Sequence, residues 1–403
     1  MKSRFLHTHS SLGLLALVAI MAGFTAWAQG PKHPHYTVTD LGVLGNGNNS
    51  SGFDMNNLGW VGGSSNLMPG GPQHAFLWYG GGPLKDLGTL GGAACPNCNS
   101  SADGPNGFGE APIITEISRT DPDGEDFCGF GTHLQCRGAI WRFGKLTALP
   151  SLPGGRNATS FGINNLGQVV GWSENGVRDT TCAPTTAFQV FRFQAVKWGP
   201  NGEIHELSPL KSKGDTVAFA WGINDRGQAV GTSGTCSTVG LPPASVNGQH
   251  AVMWERDGTP RYLGTLGDAN NTMSNVASSI NELGEVVGTS QVPDGTVHAF
   301  LWTKQTGMQD IGTLPGAFAT IAPCCNTINN RSEVVGFSID GKGPTAFLWK
   351  DKVIRDLNTL IPADSPLHLL FAESINDSGE ITGQGCVMPA CTEFHAFRAT
   401  PKW

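Results

Sequence analysis

Charged residues are scarce in this 403-residue chain, where Asp, Glu, Lys and Arg together make up 14%. The formal net charge is −7, and the 25 basic residues form no cluster. Binding to nucleic acid or to an anionic membrane surface depends on concentrated positive charge. The sequence therefore argues against both as partners.

Long apolar runs are also lacking, with one exception near the start. A run from Leu12 to Phe24 follows a basic start, and Ala26-Trp27-Ala28 has the small-x-small pattern of a cleavage site. The run is too short for a good membrane span. We predict a signal peptide over residues 1–28 and a mature chain that does not insert into a membrane. The predicted location is secreted or periplasmic.

The common catalytic signatures are absent as well. The sequence contains no G-x-S-x-G, no H-E-x-x-H, no phosphate-binding loop and no dinucleotide fingerprint. No cofactor is therefore predicted, and the sequence favours a protein that is not an enzyme.

Glycine, by contrast, is abundant, with 56 residues, and it accompanies short apolar runs. The stretch from Asn275 to Leu314 splits into four pieces, NVASSIN, GEVVGTS, HAFLWTK and MQDIGTL, each of strand length. We call these strands A, B, C and D. The A–B junction, Asn281 to Gly284, combines an Asn that bonds its own backbone with a Gly that supplies positive φ. This combination predicts a tight hairpin.

The repeat recurs along the whole chain after residue 35. Junctions of the N-x-x-G type stand at Asn56, Asn164, Asn224 and Asn376, and Asn329 keeps the Asn but not the Gly. The apolar anchor residues in front of these junctions, with one atypical repeat added, give seven A strands, at Met55, Ile117, Ile163, Ile223, Ile280, Ile328 and Ile375.

The seven C strands are followed by only six D strands. The missing D pattern, YTVTDLGVL over residues 36–44, stands at the opposite end of the chain. We predict an all-β fold, a seven-bladed β-propeller of four-stranded antiparallel blades with the ring closed by this N-terminal strand. It would form a single domain over residues 29–403. An open solenoid, the alternative, does not require the missing strand to return at the other terminus.

Three of the repeated phrases also resemble a known family. HAFLW at His74, DLGTLGG at Asp86 and the IN-x-x-G-x-VVG-x-S stretch are similar to the HAF-type extracellular repeats of exported bacterial proteins. The resemblance covers essentially the whole mature chain. It implies repeat architecture and export, and it implies no reaction, substrate or catalytic residue.

The ten cysteines fit an exported protein, because disulfides persist outside the cytoplasm. We predict that all ten form disulfides that cross-link the long loops, with the neighbours in sequence paired and Cys182 joined to Cys236. The alternative is redox chemistry at the C-x-x-C of Cys95 and Cys98. The ten are Cys95, Cys98, Cys128, Cys136, Cys182, Cys236, Cys324, Cys325, Cys386 and Cys391.

Polar residues on the A strands are the first candidates for function, since these strands line the channel of a propeller. Asp54 and Glu116 precede the anchors of the first and second repeats, and Glu373 lies two residues before the seventh anchor. Three carboxylates on one arc can bind a polar ligand or act as acid and base. The alternative is that they bond backbone amides. Trp221 breaks the register of the other tryptophans and is a candidate ligand contact, with core packing as its alternative.

Metal sites are predicted only for one acidic turn. Asp121, Asp123 and Asp126 resemble half a calcium loop, but no bidentate Glu follows at the expected distance, so a solvated turn is the alternative. The recurring histidines of the HAF phrase are expected to lie too far apart to share an ion. They are His74, His250, His298 and His395.

The resulting function prediction is a secreted, monomeric, non-catalytic recognition or scaffold protein. It would bind an extracellular glycan, peptide or cell-surface partner through its disulfide-linked loop face. The alternative is an extracellular polysaccharide lyase or glycoside hydrolase that uses the channel carboxylates Asp54, Glu116 and Glu373.

Overall fold

A computed structural model describes residues 35–182, 189–236, 249–267, 274–324 and 326–402. These residues form β-strands and three short 3-10 turns, at Gly92–Ala94, Lys211–Lys213 and Leu357–Leu360. In these ranges no helix has the length and apolar character that a membrane crossing requires. The predicted signal peptide, residues 1–28, lies outside the described residues.

The strands are short, as the alternation of apolar runs and glycines predicts. The first fourteen are β1 (His35–Gly42), β2 (Ser50–Met55), β3 (Val61–Asn66), β4 (Gln73–Trp78), β5 (Lys85–Gly88), β6 (Ser100–Ala102), β7 (Ala111–Thr120), β8 (Leu134–Arg142), β9 (Lys145–Ala148), β10 (Ala158–Ile163), β11 (Val169–Arg178), β12 (Phe191–Trp198), β13 (Ile204–Leu207) and β14 (Val217–Ile223). The others are β15 (Ala229–Gly234), β16 (His250–Trp254), β17 (Pro260–Tyr262), β18 (Asn275–Ile280), β19 (Val286–Gln291), β20 (Val297–Thr303), β21 (Gly307–Asp310), β22 (Ala319–Ile321), β23 (Val334–Asp340), β24 (Gly343–Lys350), β25 (Val353–Asp356), β26 (Leu367–Ile375), β27 (Ile381–Val387) and β28 (Phe394–Lys402).

The described strands form six sheets. Four sheets take four consecutive strands each, β2 to β5, β6 to β9, β10 to β13 and β14 to β17. A fifth has the order β1-β28-β27-β26, so that the N-terminal strand is the edge strand beside the C-terminal one. The sixth contains the eight strands β18 to β25.

The predicted fold class, seven separate four-stranded blades closed into a ring by the N-terminal strand, is therefore wrong. Two repeats share the eight-stranded sheet, because β22 begins beside the first residue of β20, where Val297 pairs in parallel with Ala319. No sheet in the described part of the chain closes on itself. What the structure shows is an all-β fold of mostly four-stranded antiparallel sheets.

The second repeat also begins earlier than the sequence prediction placed it. Ile117 lies on β7, the second strand of its sheet, and the first strand is β6. The true junction is Asn106 to Gly109, where the Gly109 N–H donates to the Asn106 carbonyl and Gly109 has a φ of 81°. The sequence NGFG satisfies N-x-x-G, so the prediction overlooked a signal that was present.

The hydrophobic core lies between neighbouring sheets. Phe76 and Trp78 of β4 pack with Leu41 of β1 and Ala396 of β28, all of them buried. Trp198 and Trp254, at the ends of β12 and β16, have no exposed surface. The tryptophan that follows the HAF phrase or its equivalent thus fills the space between sheets at these positions, as expected for a large apolar side chain.

Seven asparagines, one at each junction, form a closed circuit of hydrogen bonds. The Nδ2 of each donates to the main-chain carbonyl of the next at 3.0–3.2 Å. The order is Asn56, Asn106, Asn164, Asn224, Asn281, Asn329, Asn376 and back to Asn56. All seven are buried. Side chains therefore join the junctions of all seven repeats in a way that no sheet does.

Each circuit asparagine also holds its own turn. The Oδ1 of Asn164 accepts the N–H groups of Leu166 and Gln168 at 3.1 and 2.9 Å, and its Nδ2 donates to Gln168 Oε1 at 2.9 Å. One amide side chain thus fixes the local hairpin and the contact to the next repeat. Only an amide supplies acceptor and donors in this geometry.

Asn164→Asp is expected to destabilise the protein by about 3 kcal/mol. The carboxylate keeps the two accepted hydrogen bonds, but it loses both donated ones and faces Gln168 Oε1 and the Asn224 carbonyl. Chemical denaturation measures the free energy of unfolding. Asn201→Asp, at an exposed turn, is the control. Equal stability of the two variants would contradict the circuit's role.

The HAF histidines pair with aspartates in three settings: across a hairpin for His74 and His298, with Asp215 just before β14 for His250, and between the chain ends for His395. His74, His250 and His298 place Nδ1 at 2.7–3.0 Å from Asp86, Asp215 and Asp310 respectively. His395 of β28 makes the same contact, at 2.9 Å, with Asp40 of β1, which is 355 residues away in sequence. The pair between the termini fastens the N-terminal strand to the last one.

The His395–Asp40 pair has a defined pH range. The hydrogen bond to Asp40, supported by the charges of Asp40 and Glu393 and opposed by burial, raises the pKa of His395 above 6.5. Burial acts to raise the pKa of Asp40, but the hydrogen bonds from His395 and the Gly42 N–H lower it below 3.8. The pair therefore contributes most to the stability of the folded protein between pH 3.8 and 6.5. It weakens as pH rises through the His395 pKa or falls through the Asp40 pKa.

His395→Gln is expected to speed hydrogen exchange at the β1 amides that bond to β28 by at least tenfold near pH 6, because the strand loses its ion pair with His395. His298→Gln is the matched control, since its Asp310 lies on a strand joined directly by a hairpin. Unchanged exchange in β1 after His395→Gln would contradict this role of the ion pair.

Candidate functional site

A large cavity in the described structure has a volume of about 1000 Å³. One part of its wall consists of aromatic side chains and another of amides and hydroxyls. The aromatic residues are Phe53, Phe130, Phe161, Trp221, Phe337 and Phe371, and the amides are Asn48, Asn49, Asn66, Gln73, Asn99 and Gln384. A cavity of this size, mixed in this way, is typical of a small-molecule site.

The cavity is built by a repeated irregularity of the first strands. In β2, β14, β18 and β26 the backbone pairing skips one residue, two positions before the anchor Met or Ile, and β10 has a wider irregularity that includes that position. Such bulges re-aim a side chain. All five residues at this position line the cavity: Phe53, Phe161, Trp221, Ser278 and Glu373.

The aromatic wall is held by ring contacts. Phe161 stacks on Trp172 with centroids 4.7 Å apart and meets Trp221 edge to face at 4.7 Å. Across the cavity, Phe337 and Phe371 make an edge-to-face contact at 4.8 Å. Trp221 is only 5% exposed, so it contributes to this cluster as well as to the cavity wall. Its candidate role as a ligand contact stays a prediction.

Glu373 is the one carboxyl residue that lines this cavity. The described residues offer it no hydrogen bond and no ion pair, and none of the described lining residues is Lys, Arg or His. Desolvation in the cavity wall raises the pKa of Glu373 to about 8. The group is therefore a protonated carboxylic acid at neutral pH, with the pKa close to the working range of an acid or base catalyst.

The other two carboxylates of the predicted arc have structural partners instead. Asp54 accepts hydrogen bonds from Ser374 Oγ at 2.6 Å, Asn326 Nδ2 at 2.8 Å and the Met55 N–H at 2.6 Å. Burial raises the pKa of Asp54 to about 6, although these hydrogen bonds act to lower it. Asp54 ties its strand to the neighbouring repeat rather than lining the cavity.

Glu116 lies on β7 rather than on a first strand, which follows from the corrected start of that repeat. It accepts from the Asn99 N–H at 2.7 Å and Asn99 Nδ2 at 3.0 Å, and Thr132 Oγ1 donates to its other oxygen. In the described structure no contact joins any two of Asp54, Glu116 and Glu373. Of the three candidates, only Glu373 faces the cavity.

The acidic turn from Asp121 to Asp126 distributes its carboxylates among different partners. Asp121 Oδ1 accepts from the Asp123 N–H, Asp123 pairs with Arg156 and Arg178, and Asp126 accepts from the Gly131 N–H. Within the described ranges, no group of three or more acidic, His or Cys side chains is arranged to hold a metal ion. The calcium interpretation gains no support from this arrangement.

A buried carboxyl pair lies beside this turn. Glu125 and Glu174 have no exposed surface and share a hydrogen bond, and Asn157 Nδ2 donates to Glu174 at 3.0 Å. Burial, followed by the contact with Glu174, raises the pKa of Glu125 to about 8. One proton therefore sits between the two carboxyls at neutral pH.

The stability of the wild-type protein is expected to fall between pH 5 and pH 8, in part through Glu125. The pKa of Glu125 is higher in the folded than in the unfolded protein, so this carboxyl favours the folded state only while it stays protonated. Glu125→Gln mimics the protonated form and should flatten this decline. The midpoint of thermal unfolding across that pH range measures it. The exposed Glu206→Gln should follow wild type. An unchanged slope in Glu125→Gln would contradict the shared proton.

Four disulfides cross-link the described loops. They join Cys95 to Cys98, Cys128 to Cys136, Cys182 to Cys236 and Cys386 to Cys391. The disulfide bonds expected from the sequence are confirmed at these places. Cys325 lies outside the described residues, so its expected bond to Cys324 is not described.

A second cavity, of about 360 Å³, lies at the asparagine circuit. Its polar side chains are paired with one another: Asn165 Nδ2 donates to Asp225 at 2.9 Å, and Asn330 Nδ2 donates to Asp377 at 2.9 Å. These groups hold adjacent turns together. The larger cavity is therefore the better candidate for chemistry.

Comparison with known proteins identifies no family. No protein-family profile and no curated protein sequence matches the chain. The similar solved structures are β-propeller proteins, among them the propeller domain of a trilobed protease from Pyrococcus furiosus. That domain is 10% identical, with a TM-score of 0.45 over 74% of this chain and 77% of its own.

Two structures of puromycin hydrolase are also similar to this chain. The S511A variant complexed with PGG is 12% identical, with a TM-score of 0.50 over 90% of this chain and 51% of that chain. A second puromycin hydrolase structure is 13% identical, with a TM-score of 0.48 over 84% of this chain and 49% of the other. The chain thus spans about half the length of these hydrolases, and the likeness concerns the fold.

These comparisons correct the function predicted from the sequence. A non-catalytic recognition or scaffold protein was expected, whereas puromycin hydrolase shares the fold. The repeated phrase carried no catalytic signature because it forms hairpins and core. Glu373 occupies a position that varies between repeats, and this position lies one residue before the repeated phrase.

Proposed function

We propose that the chain is a hydrolase whose reaction centre is the large cavity, with Glu373 as the group that transfers protons. The observation that carries the proposal is the unpartnered Glu373 carboxyl in an aromatic wall. A hydrolase needs an acid to protonate the leaving group and a base to accept a proton from water. A single carboxyl with a pKa near neutrality serves both in turn.

The position of Glu373 in the repeat supports a dedicated role. The equivalent bulge positions hold Phe53, Phe161, Trp221 and Ser278, so the bulge itself forms with aromatic or small residues. A carboxyl that is partly withdrawn from water and has no partner costs stability. A residue that the fold does not need and that lowers its stability is a good candidate for a functional group.

The similarity of the fold to that of puromycin hydrolase adds support, since that protein is a hydrolase. The argument for hydrolysis in this chain rests on the cavity, and the activity and substrates of the longer protein are proposals here. Export is likewise a proposal. Four disulfides are typical of an oxidising compartment. The resemblance to HAF-type repeats and the apolar start, residues 1–28, support secretion or a periplasmic location.

Purified mature protein is expected to hydrolyse uncharged aromatic amides or esters from a chromogenic panel. We expect Glu373→Gln to lower kcat/KM at least 100-fold, because Gln can neither donate nor accept the catalytic proton. In wild type, kcat/KM should decline above pH 8, where Glu373 loses its proton. Initial rates over pH 5 to 10 measure both effects.

The controls separate catalysis from folding. Glu206→Gln removes an exposed carboxyl and should keep the wild-type rate. Glu373→Ser introduces the residue that Ser278 provides in the same bulge, and it should fold but not react. Full activity in both Glu373 variants, or no hydrolysis of any panel member by wild type, would refute the proposal.

A further inference from the structure

The described wall of the large cavity contains a single ionisable side chain of acidic or basic type. Glu373 is its one acidic side chain, and the described lining includes no basic side chain. Anionic ligands therefore find no positive partner in the described wall. A ligand that carries a positive charge finds one carboxyl and several aromatic faces, and both attract a cation.

Two features of the wall point to the same ligand chemistry. Phe371 lies two residues from Glu373 on β26, and it packs edge to face with Phe337. The described residues leave the Glu373 carboxyl without a hydrogen-bond donor, and an ammonium group carries three donors. An alkylamine that carries an aromatic ring fits the carboxyl with its ammonium charge and the wall with its ring.

We propose that the cavity recognises alkylamines that carry an aromatic ring, and that these are the amine half of its amide substrates. The part of this inference that concerns substrates rests on the proposed hydrolase function, whereas the binding of the amine itself does not depend on catalysis. The cavity volume of about 1000 Å³ accommodates a ligand larger than a single ring.

The proton balance of amide hydrolysis fits this assignment. As the C–N bond breaks, the Glu373 proton goes to the leaving nitrogen, and the water oxygen bonds to the acyl carbon. The carboxylate takes up the proton that this water releases. The products are a carboxylic acid and an amine. The amine then takes this proton from Glu373, and the resulting ammonium group pairs with the Glu373 carboxylate before it leaves. The amine is then a product inhibitor that binds more tightly than the acid.

Isothermal titration calorimetry of the mature protein tests the inference with three probes: 2-phenylethylamine, its N-acetyl derivative and 3-phenylpropionate. We expect the amine to bind at least tenfold more tightly than the other two. Because the ammonium ion pairs with the carboxylate, binding at pH 7 should release a proton, seen as a heat that depends on the buffer. The amine affinity should rise up to tenfold per pH unit towards pH 8.

Variants assign these effects to the carboxyl. Glu373→Gln and Glu373→Ser should abolish proton release and lower the amine affinity at least tenfold, while binding of the N-acetyl probe persists. Glu206→Gln should bind as wild type does. Circular dichroism and the midpoint of thermal unfolding establish that each variant is folded.

The outcomes separate the two proposals. Amine binding with proton release but no hydrolysis of any amide would support this inference and refute the hydrolase. Hydrolysis that depends on Glu373, combined with equal binding of all three probes, would refute the amine preference alone. Amine binding without proton release, or unchanged in both Glu373 variants, would also overturn the inference, because the carboxyl would not be the partner.

Discussion

The asparagine circuit is the constraint on which the other features of this protein depend. Seven side-chain amides each donate to the next junction, and the last donates to the first. Sheets of short strands cannot provide this continuity, because their backbone hydrogen bonds are used within each sheet. The circuit fixes the junctions relative to one another, and the first strands run from these junctions to the cavity. The positions of Phe53, Phe161, Trp221, Ser278 and Glu373 follow from that arrangement.

Much of the local structure could be predicted from the sequence. The N-x-x-G junctions, the four strands of each repeat and the HAF-Trp packing follow from turn chemistry and from alternation, which act over a few residues. The sheet count could not be predicted, because one backbone bridge between Val297 and Ala319 merges two repeats, and no pattern encodes it. The start of the second repeat was missed although Asn106 and Gly109 follow the rule.

The site was predicted in part, for a reason that lies in strand geometry. Neighbouring residues of a strand point to opposite faces, so a shift of one position exchanges the cavity for the interior of the sheets. Asp54 and Glu116 were chosen one position before an apolar anchor, and both have structural partners. Glu373, two positions before its anchor, faces the cavity. The bulge that produces this register is an irregularity of backbone pairing, and simple alternation does not reveal it.

The bulges also separate two roles, pairing within the strand and lining the cavity, that most residues of a small repeat must combine. A bulged residue takes no part in the ladder of its strand, and in this protein the position accepts Phe, Trp, Ser and Glu without loss of the surrounding pairing. In five of the seven repeats this position thus varies while the pairing around it is retained. The side chains that line the cavity can therefore change in one repeat at a time while each sheet keeps its pairing. The identity of these side chains then decides which ligands the cavity binds and which reactions it supports.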